Sequence, residues 1–443
     1  MAIFKPKKKP QNNAAPAAIQ ELTTHDLNFD GQGVARYKGK VMFIDGALAH
    51  EHVRVRPNRE HKKFWQGDLI EVVSTSPHRI EPPCPYFKRC GGCQLQHLKS
   101  DQQIGFKQKH LDFALTHKLG LPEVPWQTPI LSEPYGYRRR ARLGIRYRNN
   151  LKQVIVGFRE AQNSHLADID DCPVLEPNLA KLIKPLKQSL NELEHPEWYT
   201  QAEVLAGDHH AVMSLTVINP PTPADEKALA LFAKEQNIVL NLRQNKVDQV
   251  LYQPNDSQLE FEVGGCRIAF NGQSFIQSNA GVNRQMIELA LKWLKVREDE
   301  QVLDLFAGLG NFTLPLARTA KQVTAVELDK SMVERLLINA QTNQLDNVRG
   351  MVTNLADANA TEQLPRADVI ILDPPRAGAA ELMPWIAQQK SRVLYVACDP
   401  ASLIRDAKPL LEAGYVLNKI VVMDMFPQTK HVETMALFTV KDG

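Results

Sequence analysis

The pattern of hydrophobic and polar positions changes twice along this chain of 443 residues. Residues 1–17 are mainly Lys, Pro, Asn and Ala without periodicity, and we expect them to form a disordered basic tail. Between residues 18 and 77, short apolar segments of β-strand character alternate with turns that contain glycine. About five short strands within roughly sixty residues are typical of a small closed barrel of the oligonucleotide-binding type.

The second change comes near residue 280, where helical and strand-like segments begin to alternate. A helical stripe is followed by strand-like runs at 301–306, 321–326, 368–372 and 393–397. This alternation predicts a parallel, doubly wound, Rossmann-like sheet, which binds ligands at the carboxyl ends of its strands. We therefore expect an α/β domain at 271–443. A central α+β domain is expected at 78–270, where β-like segments and helices mix.

Composition excludes several classes of protein. A hydrophobic content of 43% is sufficient for folded cores, and no apolar run approaches the ~18 residues of a membrane-spanning helix. The first residues lack the apolar segment of a secretory signal. The sequence therefore predicts a cytoplasmic protein that does not enter a membrane.

The charge is distributed unevenly. Residues 1–150 carry 25 Lys and Arg against 13 Asp and Glu, a net charge of +12, and the remainder carries 28 against 37, a net charge of −9. Within the basic part, residues 134–148 combine six arginines with three tyrosines. This combination favours phosphate contacts and base stacking, and therefore RNA binding, although a basic surface that only faces water would look similar.

Three of the six cysteines lie within ten residues, and a fourth precedes a proline far downstream. These four are Cys84, Cys90, Cys93 and Cys172. One loop can surround a metal centre with three thiolates, and a distant cysteine can complete the shell. Four thiolates suit structural zinc or an iron–sulfur cluster. Because zinc sites usually show two paired knuckles, this spacing favours a [4Fe–4S] cluster.

Chemically useful residues end several of the predicted strands. Gly308 and Gly310 follow the first strand and allow a nucleotide-like ligand to approach the backbone, and Glu327 ends the second strand, where a carboxylate can bind ribose hydroxyls. Asp373 ends a later strand directly before two prolines, which cannot continue a hydrogen-bonded ladder.

Cys398 lies where an apolar strand becomes a helix. Asp399 is a good N-cap residue and Pro400 suits the first helical position. The positive end of the helix dipole favours a thiolate, so Cys398 is a candidate nucleophile. Asp399 opposes this effect, and an inert core cysteine is the alternative.

Two families resemble parts of the chain. The segment from Gly31 to Arg36, followed by residues 39–46, resembles the TRAM domain of RNA-modifying enzymes. Asp-Pro-Pro-Arg-Ala-Gly from Asp373, Ala-Cys-Asp-Pro-Ala around Cys398 and the segment 424–435 resemble the RNA 5-methyluridine methyltransferases. The second resemblance covers the last 170 residues or so and implies a class I methyltransferase domain that uses S-adenosylmethionine.

The resemblance also implies roles for individual residues. Cys398 would be the nucleophile that adds to C6 of uracil, and Glu433 the base that later removes the C5 proton, with His431 as a rival base. Residues implied in binding S-adenosylmethionine and substrate are Gln277, Phe306, Asn311, Glu327, Asn354 and Asp373.

The presence of both a barrel and a cysteine group implies a bacterial member of this family that methylates a specific uridine of 23S ribosomal RNA. We expect a monomer without an obligate protein partner. Two other classes stay open at this point: an adenine amino methyltransferase, which would not need Cys398, and a non-catalytic RNA-binding metalloprotein, which would need neither Cys398 nor Glu327.

Overall fold

The computed structural model describes residues 18–357 and 359–441, so the predicted basic tail at 1–17 lies outside the described residues. The chain divides into two compact units. One unit extends from the N-terminal region to Glu81 and includes His97–Lys99, and the other contains Pro82–Gln96 and the chain from Ser100 onward. Within the described ranges, no helix has the length and apolar character needed to cross a membrane.

The first unit is built from strands. They are β1 (Gln20–Thr23), β2 (Asp26–Leu27), β3 (Gly33–Tyr37), β4 (Lys40–Asp45), β5 (His52–Glu60) and β6 (Phe64–Ser74). They form one sheet in the order β1-β5-β6-β4-β3-β2, and β1 also contacts β3. Alternate residues such as Met42, Ile44, Val53 and Val55 are buried in its core. The unit is therefore a curled all-β sheet, and its likeness to a TRAM domain stays a prediction.

In the second unit, the segment Pro82–Gln96 comes first in the sequence, and helix α1 (Ser100–Leu119) and a seven-stranded sheet follow it. The strands of this central sheet are β7 (Arg140–Arg148), β8 (Gln153–Arg159), β9 (Leu166–Asp168), β10 (Tyr199–Ala206), β11 (Ala211–Val217), β12 (Val239–Gln244) and β13 (Val247–Tyr252), in the order β13-β12-β11-β10-β7-β8-β9. Helices α2 (Pro177–Ala180), α3 (Ile183–Asn191) and α4 (Pro223–Gln236) accompany it. This part mixes helices and strands, as the sequence predicts.

A hairpin of β14 (Glu260–Val263) and β15 (Cys266–Ala269) leads to the C-terminal sheet. Its strands are β16 (Gln301–Leu305), β17 (Gln322–Glu327), β18 (Val348–Val352), β19 (Val369–Leu372), β20 (Arg392–Ala397), β21 (Tyr415–Met423) and β22 (Glu433–Val440). Its helices are α5 (Ala280–Leu294), α6 (Thr313–Ala317), α7 (Lys330–Thr342), α8 (Met383–Gln389) and α9 (Pro400–Glu412).

The prediction of a wholly parallel sheet is wrong at one edge. The order is β18-β17-β16-β19-β20-β22-β21, in which β16 to β20 are parallel and β22 is antiparallel to both of its neighbours. The reason is the connection: a loop without a crossover helix joins β21 to β22, so the chain reverses direction. This reversal places the start of β22 at the same edge as the carboxyl ends of the parallel strands.

The loop at 424–432, which leads into β22, is fixed by α1. The buried Lys107 ammonium donates to Asp424 Oδ1 (2.9 Å) and to the carbonyl of Phe426 (3.2 Å). Gln428, at φ +67°, exchanges side-chain and backbone hydrogen bonds with Gln103.

The Gln428 carbonyl also accepts the amides of Gln94 and Leu95, which directly follow Cys93. One carbonyl therefore ties the cysteine loop to the segment that precedes Glu433.

Replacing Lys107 with Met should lower the free energy of unfolding by about 3–5 kcal/mol, because the buried Asp424 carboxylate would lose its cation. Urea denaturation measures this change. The double variant Lys107→Met/Asp424→Leu, which leaves no buried charge, should recover most of the loss. A cost below about 1 kcal/mol for the single variant would contradict this account of the loop.

Candidate active site

A pocket of about 900 Å³ lies at the carboxyl ends of the parallel strands, where the predicted sheet would bind a ligand. The structure brings every predicted site residue into its lining: Gln277, Phe306, Asn311, Glu327, Asn354, Asp373, Cys398 and Glu433, together with Cys84, Cys90, Cys93 and Cys172. Residues more than 300 positions apart in the sequence therefore share one cavity.

Glu327, the last residue of β17, is held by backbone amides. Its carboxylate accepts hydrogen bonds from Gly308 (3.1 Å), Leu328 (2.7 Å) and Asp329 (3.2 Å). The loop after β16 can approach it because Phe306 and Gly308 both have positive φ, +66° and +56°. A positive φ is unusual for a phenylalanine, and strained backbone of this kind concentrates at ligand sites.

Two amide side chains of the pocket are held by other side chains. Gln277 donates from Nε2 to Asp373 Oδ2 (3.1 Å), and the backbone carbonyl of Gln277 accepts from Nε of the buried Arg139 (2.9 Å). Asn311 exchanges two hydrogen bonds of 2.9 Å with Asn283. Asn354 differs, since it is exposed and its side-chain amide forms hydrogen bonds with Asp357 and Ala356 of its own turn.

The local structure around Cys398 is as predicted. The Asp399 side chain accepts from the amide of Ser402 (2.9 Å), and Pro400 begins α9. The expected effect on the thiol is wrong, however. Burial, followed by the Glu433 carboxylate, raises the pKa of Cys398 to about 11. Desolvation and nearby negative charge therefore outweigh the helix dipole.

Glu433 begins β22 beside Cys398. In the antiparallel ladder of β20 and β22, Ala397 is opposite Thr434, so the next positions of the register are Cys398 and Glu433. Glu433 is only 6% exposed. Burial, and then Asp373, hold its pKa well above the usual value. The pKa of Asp373 is itself raised to about 6 by burial.

His431 and Arg376 form a pair at the same pocket. The Arg376 guanidinium donates to His431 Nδ1 (2.9 Å), and burial, followed by Arg376, lowers the pKa of His431 to about 4. His431 is therefore neutral near pH 7, with one ring nitrogen already occupied as an acceptor. Arg376 belongs to the Asp-Pro-Pro-Arg-Ala-Gly motif, but the sequence assigns it no role, and no sequence signal marks Asn283.

The four cysteines Cys84, Cys90, Cys93 and Cys172 line the same pocket, and their role as metal ligands stays a prediction. Burial, together with the charges of Cys172, Cys90 and Cys84, raises the pKa of Cys93 to about 12. Burial and the Cys93 and Cys84 charges raise the pKa of Tyr135 to about 12. Its hydroxyl is buried and has no hydrogen-bond partner among the residues that the structure describes.

The described ranges contain no group of three or more His, Cys, Asp or Glu arranged to hold a metal ion. A single zinc ion would need all four sulfur atoms about 2.3 Å from one centre. An iron–sulfur cluster gives each thiolate its own iron and so tolerates wider spacing. Four thiols are the donor set that such a cluster uses.

Comparison with known proteins decides the family. The sequence model described as tRNA (Uracil-5-)-methyltransferase matches residues 104–441. The chain belongs to this family. Membership confirms the predicted uracil-C5 methyltransferase and speaks against the two other classes, an adenine amino methyltransferase and a non-catalytic metalloprotein.

Relatives in this family are similar over nearly the whole chain. A protein of Shewanella sediminis named 23S rRNA (uracil(1939)-C(5))-methyltransferase RlmD is 38% identical, over 98% of each chain. The protein of the same name from Pectobacterium atrosepticum is 40% identical, over 96% of this chain and 94% of its own.

A solved structure shares the fold. The Pyrococcus abyssi tRNA (uracil-54, C5)-methyltransferase, in complex with S-adenosyl-L-homocysteine, matches with a TM-score of 0.73 and 24% identity. The match covers 95% of this chain and 100% of that chain. At this identity the likeness supports the Rossmann-like architecture of the C-terminal sheet.

The raised pKa of Cys398 predicts how its alkylation depends on pH. Below pH 10 only a small fraction of the Cys398 side chain is present as thiolate. The rate of its reaction with iodoacetamide should therefore rise about tenfold per pH unit from pH 7 to 10. In Glu433→Gln the rate should be higher at each pH, because a neutral amide does not repel the thiolate. Peptide mass spectrometry measures the modification at Cys398 alone.

The exposed Glu334→Gln on α7 is the matched control and should leave the rate unchanged. A plateau near pH 8, or slower alkylation in Glu433→Gln, would contradict the electrostatics described here.

Proposed function

We propose that the protein transfers the methyl group of S-adenosylmethionine to C5 of a uridine in 23S ribosomal RNA, the residue that the names of its relatives give as 1939. The observation that carries the proposal is the placement of a thiol and a buried carboxyl, Cys398 and Glu433, at adjoining strand ends within one pocket.

S-Adenosylmethionine would supply an electrophilic methyl group. Glu327 would accept the ribose hydroxyls, since its carboxylate is already oriented by three amides. The remaining contacts would come from Gln277, Phe306, Asn311 and Asn354, which line the same cavity. Asp373 would act at the uracil edge, between cofactor and substrate.

Cys398 would make uracil nucleophilic. C5 of uracil is too weak a nucleophile on its own, but addition of the thiolate to C6 moves the π electrons toward C5 and O4 and creates an enolate. C5 can then attack the methyl carbon. The sulfur is bonded to C6 until the C5 proton is removed, after which the C5–C6 double bond forms again and the thiolate leaves.

Glu433 would remove that proton. Its raised pKa makes the ionised carboxylate a stronger base than an exposed glutamate. His431 is less suited to this role, because its pKa is about 4 and Nδ1 already accepts from Arg376. The electrostatics of the pocket therefore support Glu433 over His431.

RNA would bind through the basic segment at 134–148 and the all-β unit. Leu143 and Ile145 on β7 are buried, whereas Arg142 and Arg146, which flank this pair in the sequence, are exposed. Fewer of the six arginines between residues 134 and 148 are free to contact phosphates than the sequence suggests. Arg139 is buried, and Arg140 pairs with Glu203 at 2.9 Å. The more exposed arginines of β7 would meet phosphates.

The four cysteines would hold a [4Fe–4S] cluster with a structural role, because four thiolate ligands leave no iron open to a substrate. Anaerobically purified protein should be brown and contain iron and sulfide near four each per chain. Cys172→Ser should lose most of both, as measured by metal and sulfide analysis. Cys266→Ser, in the β14–β15 hairpin, is the matched control and should keep them. Colourless protein with one zinc would contradict this assignment.

Glu433→Gln should accumulate a covalent protein–RNA adduct. Cys398 can still add to C6 and C5 can still receive the methyl group, but the C5 proton stays and the thiolate is not eliminated. Denaturing electrophoresis with labelled RNA detects the adduct.

Cys398→Ala should give no adduct, whether position 433 is the native Glu or the Gln of Glu433→Gln. RNA with fluorine at C5 of the uracil should trap the wild-type protein as a covalent adduct. Normal turnover by Glu433→Gln, or an adduct formed by Cys398→Ala, would overturn these roles.

A further inference from the structure

The groups that face the Cys398 thiol are mostly acidic. Glu433 and Asp373 both raise its pKa, in addition to the effect of burial. Forming a thiolate between two carboxyls is unfavourable, and the addition to C6 then moves the negative charge onto the uracil ring. A site with this chemistry requires a positive group close to the sulfur.

Arg376 is the cation in this position. It follows Pro374 and Pro375 at the end of β19, and it lines the pocket with Cys398 and Glu433. Arg376 is the positively charged group that acts on the pKa of Cys398, and it lowers that pKa. The same guanidinium also lowers the pKa of Glu433. It therefore faces both reacting side chains.

The guanidinium is not neutralised by an acid. Within the described part of the chain it forms no ion pair with a carboxylate, and the contact that orients it is the hydrogen bond to His431 Nδ1. An imidazole can accept this bond only when Nδ1 carries no proton, which places the ring proton on Nε2. Phe426, whose ring meets His431 edge-on at 5.8 Å, limits the ring's movement.

We infer that Arg376 is a further catalytic residue, which stabilises the Cys398 thiolate and then the enolate oxygen of the uracil adduct, and that neutral His431 is the positioning residue that aims it. This inference rests on the proposed function. In the first step the S–C6 bond forms while the C5–C6 π electrons move to C5 and O4, and the guanidinium compensates the charge. When C5 takes the methyl group, that charge is consumed.

Four variants test the inference: Arg376→Gln, Arg376→Lys, His431→Leu and His431→Asn. Gln and Lys have similar length and flexibility, but only Lys keeps the positive charge. Asn places an acceptor oxygen near the position of Nδ1, and Leu places none. Arg376 is exposed, so its replacement leaves the core intact.

The first measurement is alkylation of Cys398 by iodoacetamide in the full-length protein without RNA. Arg376→Gln should slow the reaction about tenfold at pH 8, which corresponds to one unit of pKa, and Arg376→Lys should restore most of the rate. His431→Leu should also slow the alkylation, and His431→Asn should react at a rate close to that of the wild type. Equal rates in wild type and Arg376→Gln, or equal rates in the Gln and Lys variants, would overturn the inference.

The second measurement is the rate of adduct formation with RNA that carries 5-fluorouracil. The four variants should follow the same order as in alkylation. If the wild type itself forms no adduct, the proposed function fails, and the alkylation series still decides the role of Arg376. If the wild type forms the adduct and Arg376→Gln forms it equally fast, the inference alone fails.

Discussion

The antiparallel ladder between β20 and β22 is the constraint on which the site depends. β20 ends at the edge of the sheet where ligands bind, and β22 begins there because it runs in the opposite direction. The pairing of Ala397 with Thr434 leaves Cys398 and Glu433 as the first residues beyond the ladder on their respective strands. A one-residue slip would turn both side chains to the other face of the sheet. The hydrogen bonds of the backbone therefore set the distance between the proposed nucleophile and the proposed base.

Burial gives this pocket its electrostatic character. Cys398, Asp373 and Glu433 all have pKa values raised above their ordinary values, and desolvation is the largest cause for each of them. A neutral thiol is slow to react with other electrophiles in the cell. With a pKa of about 11, the Cys398 thiol is largely protonated near pH 7, and the positive charge of Arg376 opposes this effect only in part.

Features set by neighbouring residues could be predicted from the sequence. Asp399 and Pro400 mark the start of α9, and Glu327 and Asp373 mark strand ends, because capping and ladder termination are local. Glu433 and the Arg376–His431 pair depend on contacts between distant segments, and no periodicity encodes them. The direction of the Cys398 pKa was missed for a related reason. A helix start is visible in sequence, whereas the desolvation that overrides it comes from the whole fold.

The attachment of the 424–432 loop to α1 has a consequence for folding. Gln103 and Gln428 are 325 residues apart, and Lys107 and Asp424 are 317 apart. Such contacts form only after a very long stretch of chain has been closed into a loop. We expect them to be lost early when the protein is destabilised. The two sheets can gain their strands and cores before this loop is fixed. During refolding, the chain should therefore become compact before it regains activity.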